Sequence, residues 1–164
     1  MTTTTPNLRK LNLSHQGLTE VPAEIACMKQ LRVLDLSYNN ITHIPDFVMA
    51  LPHLRTLAVG HNQLHALPYT LASSTILELI ADYNSIDFIL PSTLIHIRKL
   101  ILSHNRINVG MLHTVLPELI HLDLRDNPSV HFAAPACLPN LRRYYNDSGS
   151  ASTLLIPDGM QYYL

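Results

Sequence analysis

One short pattern, Leu-x-x-Leu-x-Leu-x-x-Asn-x-Leu, returns along most of this 164-residue chain. Self-similarity at a fixed period predicts a solenoid, in which each repeat packs mainly on its two neighbours. We number the repeats as coils and count positions from the first residue of each coil. Six copies are clear, and their starts are 23, 23, 22, 21 and 22 residues apart: Leu8, Leu31, Leu54, Ile76, Ile97 and Leu119. A seventh, degenerate copy begins at Leu141.

Positions four and six of each coil predict one short β-strand. Leu34 and Leu36 in coil 2, for example, alternate with other residues, which is the two-residue period of a strand with one buried face. A single coil cannot bury that face, so neighbouring strands must stack into a parallel sheet on the concave side. The returning segments, such as residues 44–51, contain a proline that begins an irregular or one-turn helical segment, and these form the convex side.

The six registered copies resemble the leucine-rich-repeat family over roughly residues 7–160. The resemblance implies an α/β solenoid: a right-handed superhelix of about seven repeats with a concave parallel sheet and an irregular or short-helical convex side. The segments 21–25, 44–48 and 67–71 are similar to the Leu-Pro-x-x-Ile form of the intracellular Ras-suppressor and scaffold type. Later copies are expected to lack this form.

The pattern divides the chain into three parts. Residues 1–7 form an N-terminal segment, residues 8–160 the leucine-rich-repeat domain and residues 161–164 a C-terminal tail. Terminal coils normally need a polar cap over their exposed core and strand edge. The threonine-rich start offers no obvious cap, so we expect either that the domain is excised from a longer chain or that it self-associates through uncapped ends, and a short capping strand in residues 1–7 is the alternative.

Position nine is asparagine in five successive coils. It lies where the chain leaves the strand, and its amide can bridge backbone groups of adjacent coils that would cost about 1–3 kcal/mol each if left unpaired. We interpret this column as structural, and it fails only at the ends, as Gln16 and Gly149. Its members are Asn39, Asn62, Asn84, Asn105 and Asn127.

The composition of the chain indicates which classes of partner are excluded and in which compartment the protein is expected. The net charge of −1 provides no basic excess for nucleic-acid binding. The apolar runs are far shorter than the roughly 20 residues that span a bilayer, so no membrane insertion is expected. The first six residues lack the features of a signal peptide, and two distant cysteines, Cys27 and Cys137, are expected to be free buried thiols. A cytoplasmic location follows as an expectation.

Histidine and serine are the residues of this sequence that could form a metal site or a catalytic site. His15, His61 and His104 share position eight with Tyr38 and Tyr83. Alternate coils lie about 10 Å apart, too far for two of these histidines to bind one metal ion. The serines that precede them point to the opposite face of the strand, so sequence adjacency does not create a nucleophile beside a base. We therefore predict no catalytic residue, no metal, no cofactor and no enzyme activity.

Position five is apolar in the middle of the sheet, at Ala58, Ile80 and Ile101, and polar or charged towards the ends. An apolar centre with polar surroundings is common in protein interfaces. Scattered exposed hydrophobic residues are the plainer interpretation, but the three are registered in successive coils, which favours a site. Seven strands at about 4.8 Å spacing give a face roughly 30 Å long. The predicted contacts with a partner are Tyr38, His61, Ile80, Asp82, Tyr83, Ile101, His104, Asp123 and Arg125.

These observations favour an intracellular scaffold or regulatory module that binds another protein on its concave face. The family resemblance implies a small GTPase or a phosphatase as a candidate partner. The alternative is a substrate-targeting domain of a larger enzyme, such as a phosphatase or ubiquitin ligase of a host or a pathogen, in which another segment carries the chemistry.

Overall fold

The computed structural model describes residues 7–112, 115–132, 138–145 and 161–162. Within these ranges the chain forms ten short strands, β1 to β10. Their bounds, in chain order, are Lys10–Asn12, Val33–Asp35, Thr56–Ala58, Glu78–Ile80, Lys99–Ile101, Asn108–Leu112, His121–Asp123, Ser129–Phe132, Arg143–Tyr145 and Gln161–Tyr162.

Eight of these strands form one parallel sheet, in the order β1-β2-β3-β4-β5-β7-β9-β10. Each coil contributes one strand, and equivalent positions pair: Leu34 lies opposite Leu57, which lies opposite Leu79. The same register continues through β5, β7 and β9. The columns of the aligned sequence are therefore columns in space, and the predicted α/β solenoid with one strand per coil is confirmed.

The core lies between the sheet and the returning segments. Positions one, four, six and eleven are fully buried in coil 2, at Leu31, Leu34, Leu36 and Ile41, and the same positions are buried in coils 3 to 5. Their equivalents in coil 1 are only partly buried, because in the described part of the chain coil 1 has a neighbour on one side alone. These residues are Leu11, Leu13 and Leu18.

The convex side of coils 1 to 4 consists of one-turn helices. Three are 3-10 helices, Ala23–Cys27, Tyr69–Ser73 and Pro91–Leu94, and one is an α-helix, Asp46–Met49. A proline precedes or begins each helix, because its fixed φ suits the first turn and its missing N–H would have no partner there. The expectation that only the first three coils carry this form was wrong, since coil 4 carries it in Leu90-Pro91-Ser92-Thr93-Leu94.

Coils 5 and 6 depart from this short-helical convex side. There β6 and β8 form a second, two-stranded parallel sheet, with Val109 opposite Val130. In coils 3 and 4 the same region makes only an isolated bridge between Ala66 and Phe88. A proline follows each bridge residue within three positions and cannot donate to a ladder, whereas the strands of coils 5 and 6 contain β-branched valines and no proline.

The chain ends add two observations. Gln161–Tyr162 were assigned to a tail, yet they pair in parallel with Arg143 and Tyr144 as an eighth strand of the main sheet. Residues 1–6, and the seventh copy beyond Tyr145 with Gly149, lie outside the described residues, as does Cys137. Cys27 is a free thiol but is exposed, because it ends its one-turn helix on the outer side. Among the described helices, none has the length and apolarity to cross a bilayer.

Candidate functional site

The asparagine column links each coil to the one before it. Asn62 accepts a hydrogen bond on Oδ1 from the backbone N–H of Ile41, at 2.9 Å. Its Nδ2 donates to the carbonyl of Leu36 in the preceding coil and to that of Val59 in its own coil, both at 3.0 Å. The equivalent bonds recur at Asn39, Asn84, Asn105 and Asn127. The column thus holds the strands in register beneath the concave face.

Position eight forms a continuous stack of rings beside the concave sheet. The five rings alternate between imidazole and phenol, with successive centroids 4.3, 4.0, 4.2 and 3.9 Å apart and interplanar angles between 11° and 19°. All five residues have a left-handed backbone, with φ between 49° and 57°. That conformation destabilises a residue other than glycine by about 1–2 kcal/mol. Ring stacking contributes about 0.5–1.5 kcal/mol per pair, which offsets part of this cost. The ring stack is His15, Tyr38, His61, Tyr83 and His104.

The ring stack ends at a carboxylate. Asp126 occupies position eight of coil 6 with φ of 54°, and its Oδ2 lies 3.0 Å from Nε2 of His104. Both side chains are partly exposed, so an ion pair here would contribute at most about 1 kcal/mol. Tyr38 and Tyr83 are 48% and 46% exposed. The ring edges therefore remain open to a partner although the ring faces are occupied.

Three residues at position five form what we call the apolar strip: Ala58, Ile80 and Ile101. They are direct neighbours across β3, β4 and β5, and each is half-buried. Covering a large aliphatic side chain fully is worth about 1.5–3 kcal/mol relative to leaving it exposed. The strip therefore offers two isoleucine side chains to a ligand in the centre of the concave face.

Gly60 is a residue that sequence reasoning did not single out. It occupies position seven beside Asp82 of the next coil, and a Cβ at Gly60 would overlap the Asp82 carboxylate. The missing side chain makes room for that carboxylate at the edge of the apolar strip. The signal in the sequence is a lone glycine in a column that is otherwise Ser, Asp or Arg.

Asp123 lies beneath the concave face, although it was predicted as a contact. Its side chain is 6% exposed, and Arg125 covers it with two hydrogen bonds, Nε to Oδ1 at 3.0 Å and Nη2 to Oδ2 at 2.7 Å. The Arg125 guanidinium also lies 5.0 Å from the centroid of the Tyr145 ring. Asp123 therefore positions Arg125, and Arg125 is the group that reaches the surface.

Position three of coils 5 to 7 forms what we call the basic row: Lys99, His121 and Arg143. The three residues are in register on adjacent strands. Partial burial, and then the charges of Lys99 and Arg143, lower the pKa of His121 from its ordinary value of 6.5, against the opposing effect of Asp123. The His121 ring also stacks on Tyr145, with centroids 5.3 Å apart. The basic row is readable in the aligned sequence, but the prediction did not include it.

The comparisons with known proteins agree with this geometry. Residues 6–64 match the family model for the leucine rich repeat. That part of the chain is therefore built of leucine-rich repeats. No curated protein sequence is significantly similar to it. The leucine-rich-repeat fold commonly mediates protein–protein interaction and is generally a non-catalytic binding module.

Solved structures of several leucine-rich-repeat proteins have a fold similar to that of this chain. A protein of Leptospira interrogans is 22% identical with a TM-score of 0.67, over 85% of this chain and 43% of its own. The plant peptide hormone receptor RGFR1, in complex with RGF2, is 25% identical with a TM-score of 0.67, over 84% and 24%. An internalin from Listeria monocytogenes is 17% identical with a TM-score of 0.63, over 85% and 48%. The chain thus spans less than half of each neighbour.

The structure groups the predicted contacts of this chain into three places. Tyr38, His61, Tyr83 and His104 belong to the ring stack, and Ile80 and Ile101 to the apolar strip with Asp82 beside it. Further along the same face, Arg125 reaches the surface and Asp123 lies buried beneath it. Within the described ranges no three His, Cys, Asp or Glu side chains are close enough together to hold a metal ion.

Proposed function

We propose that this leucine-rich-repeat chain is an intracellular scaffold or regulatory module that binds a partner protein on its concave face. The observation that carries the proposal is the apolar strip, which places Ala58, Ile80 and Ile101 side by side on three adjacent strands. Polar and charged side chains border it on both sides. That anatomy, an apolar centre with a polar rim, is typical of protein interfaces.

Rigidity supports the same proposal. The asparagine column fixes the strands in register, so the concave face is formed before a partner arrives. A preformed surface limits the loss of side-chain and backbone freedom on binding. The face is roughly 30 Å long, which approaches the dimension needed for about 800 Å² of contact per partner.

Two further observations bear on the partner and the compartment. The structural neighbour RGFR1 is a peptide hormone receptor in complex with RGF2, so a polypeptide ligand suits this fold. Cys27 is a free, exposed thiol, which fits a reducing compartment. The proposed module performs no chemistry on its partner.

The test compares proteins captured from a cell lysate by the wild-type chain and by two double variants. Ile80→Asp with Ile101→Asp places two charges in the apolar strip. Leu90→Asp with Ile95→Asp places two charges at exposed apolar residues of the convex side and serves as the matched control. Quantitative mass spectrometry measures what each retains, and circular dichroism checks the fold.

Proteins retained by wild type and the convex variant but lost from the concave variant support the proposal. The proposal fails if the concave variant retains the same proteins, or if both variants lose them equally. Should the aspartates unfold the protein, Ile80→Thr with Ile101→Thr keeps β-branched side chains on the strands and allows the same comparison.

A further inference from the structure

The charge pattern of the concave face indicates the chemistry of the ligand. We propose that the basic row and the apolar strip together recognise a segment of the partner protein in which aspartate or glutamate side chains lie next to an apolar anchor. This inference rests on the proposed function, because it uses the same face. It adds the class of ligand and the direction in which the ligand lies.

The basic row is a local concentration of positive charge in a chain whose net charge is −1. Lys99 and Arg143 flank His121 on adjacent strands, which places the two permanent charges about 10 Å apart. In the part of the chain that the structure describes, neither makes an ion pair with an acidic side chain. A carboxylate above His121 would lie within about one Debye length of both charges.

Near the basic row, the acidic side chains that the structure describes are engaged or lie at one side, and Asp126 is paired with His104. Asp123 is buried under Arg125. Glu78 lies beside Lys99 on β4, where it accepts a hydrogen bond from Thr56 at 3.4 Å. Among the residues that the structure describes, the face is therefore mixed in charge at coils 3 and 4, and in coils 5 and 7 it carries the positive charges of Lys99 and Arg143 without an ion-pair partner. A ligand lies with its apolar anchor on the strip and its carboxylates towards coils 6 and 7.

Arg125 completes the recognition surface. Its guanidinium is fixed by the two bonds to Asp123 and by the Tyr145 ring. Asp123 offsets much of its charge, so Arg125 contributes directed N–H groups more than net charge. The net attraction for carboxylates therefore comes from Lys99 and Arg143.

His121 makes the attraction depend on pH. Lys99 on β5, Arg143 and Tyr145 on β9, and Asp123 on its own strand surround its ring. Carboxylates of a bound ligand would oppose the effect of Lys99 and Arg143 on its pKa, so binding favours the protonated ring. Affinity for an acidic segment should therefore rise as pH falls through the range in which His121 titrates.

The experiment selects ligands from a random dodecapeptide library displayed on phage. The targets are the wild-type chain, the variant Lys99→Glu with Arg143→Glu, and a control, Arg9→Glu with Arg32→Glu, that makes the same charge change at exposed residues of coils 1 and 2. Wild type and control should select peptides with Asp or Glu next to Leu, Ile or Phe. The basic-row variant should instead select Lys or Arg at those places.

Affinities of the best acidic peptide are then measured by fluorescence anisotropy. Binding should weaken about tenfold or more on the basic-row variant, or when glutamines replace the glutamates of the peptide, since each removes charge-assisted hydrogen bonds. If the glutamate substitutions disturb the fold, Lys99→Gln with Arg143→Gln gives the same test with smaller losses.

The inference and the proposed function fail in different ways. Selected peptides that are neutral or basic, yet lose binding on Ile80→Asp with Ile101→Asp, overturn the acidic-ligand inference alone. The same holds if charge-dependent binding is seen with phosphatidylserine vesicles and no acidic peptide is selected. A library that gives no binder also overturns the inference alone, whereas peptides whose binding ignores the isoleucine substitutions overturn both.

Discussion

Two columns that run along the solenoid behave in opposite ways. Position nine is asparagine in five successive coils, and each amide makes the same bonds to the coil before it. Position five changes from polar or charged to apolar, then to charged at Asp123 and to aromatic at Tyr145. A side chain that joins two coils is constrained by every coil it meets, whereas one that faces outwards is free to vary. The difference separates residues that keep the fold from residues that can recognise a ligand.

The largest expected effect comes from removing one side-chain amide of the asparagine column. Asn62→Ala leaves backbone groups of two coils without their partner, so we expect the free energy of unfolding to fall by about 1–3 kcal/mol. Asn40→Ala is the control, because Asn40 is exposed, its side chain accepts a 3.3 Å hydrogen bond from the Gln63 side chain, and the backbone N–H that it donates to Leu18 is kept in the variant. Thermal and urea denaturation measure both variants. Equal losses at the two positions would show that the column has no special structural role.

The ring stack lies between the two extremes, since it repeats and yet is partly exposed. Tyr83→Ala removes ring contacts with His61 and His104, and we expect the free energy of unfolding to fall by about 1–3 kcal/mol, from about 0.5–1.5 kcal/mol for each of the two ring pairs. Tyr83→Phe should change stability little, as should Tyr69→Ala at a tyrosine that is 70% exposed. Denaturation curves would contradict a cohesive stack if Tyr83→Ala and Tyr69→Ala behaved alike.

A smaller effect is expected at the edge of the strip, where a substitution towards the usual serine should destabilise. Gly60→Ser puts a Cβ into the place of the Asp82 carboxylate. The carboxylate can rotate away, so the expected loss is below about 1 kcal/mol, less than for a rigid overpacked core. In an Asp82→Ala background the loss should vanish. A double-mutant cycle that shows no coupling would contradict the steric account.

The smallest expected effect is a change in how the free energy of unfolding depends on pH. Because folding lowers the pKa of His121, the unfolded chain binds more protons between that lowered value and 6.5. Stability should therefore rise with pH through this window, level off above it and fall as pH decreases. His121→Gln should flatten the slope in part, since burial also lowers the pKa of His96. Urea titrations at several pH values measure it, with His53→Gln as an exposed control; an unchanged slope in His121→Gln would contradict the assignment.

Much of the fold was readable from the sequence because each coil repeats the same contacts. Leu34 and Leu36 predicted a strand and its buried face, and Asn62 predicted the point where the chain leaves the strand. The prolines of the returning segments also predicted the one-turn helices of the convex side in coils 1 to 3, but the helix that begins at Pro91 in coil 4 was missed. The second sheet, in which Val109 lies opposite Val130, was not predicted. It forms where the returning segment lacks a proline, and the repeat pattern describes only the strand half of each coil.

The concave face was less predictable. Position five faces outwards in every coil, yet Asp123 is buried there because Arg125 folds back over it. The sequence placed the histidines and tyrosines of position eight in one column, but ring stacking depends on the left-handed backbone at each of them. Such a φ is a weak preference of histidine and no preference of tyrosine. The alternation of residues along a strand predicts the face of the sheet on which a side chain lies. It does not predict whether a neighbouring side chain covers it, as Arg125 covers Asp123.

The ring stack also provides the protein with its own spectroscopic probes. Tyr38 lies between two imidazoles, so the magnetic fields of the neighbouring rings act on its protons and shift their NMR resonances, and the same holds for His61 and Tyr83. Each coil from the first to the fifth contributes one such signal. Opening of coil 1 would be seen first at His15 and Tyr38, and a ligand that lands on Ile101 would be seen first at His104. One spectrum can therefore locate a disturbance along the solenoid coil by coil, without an added label.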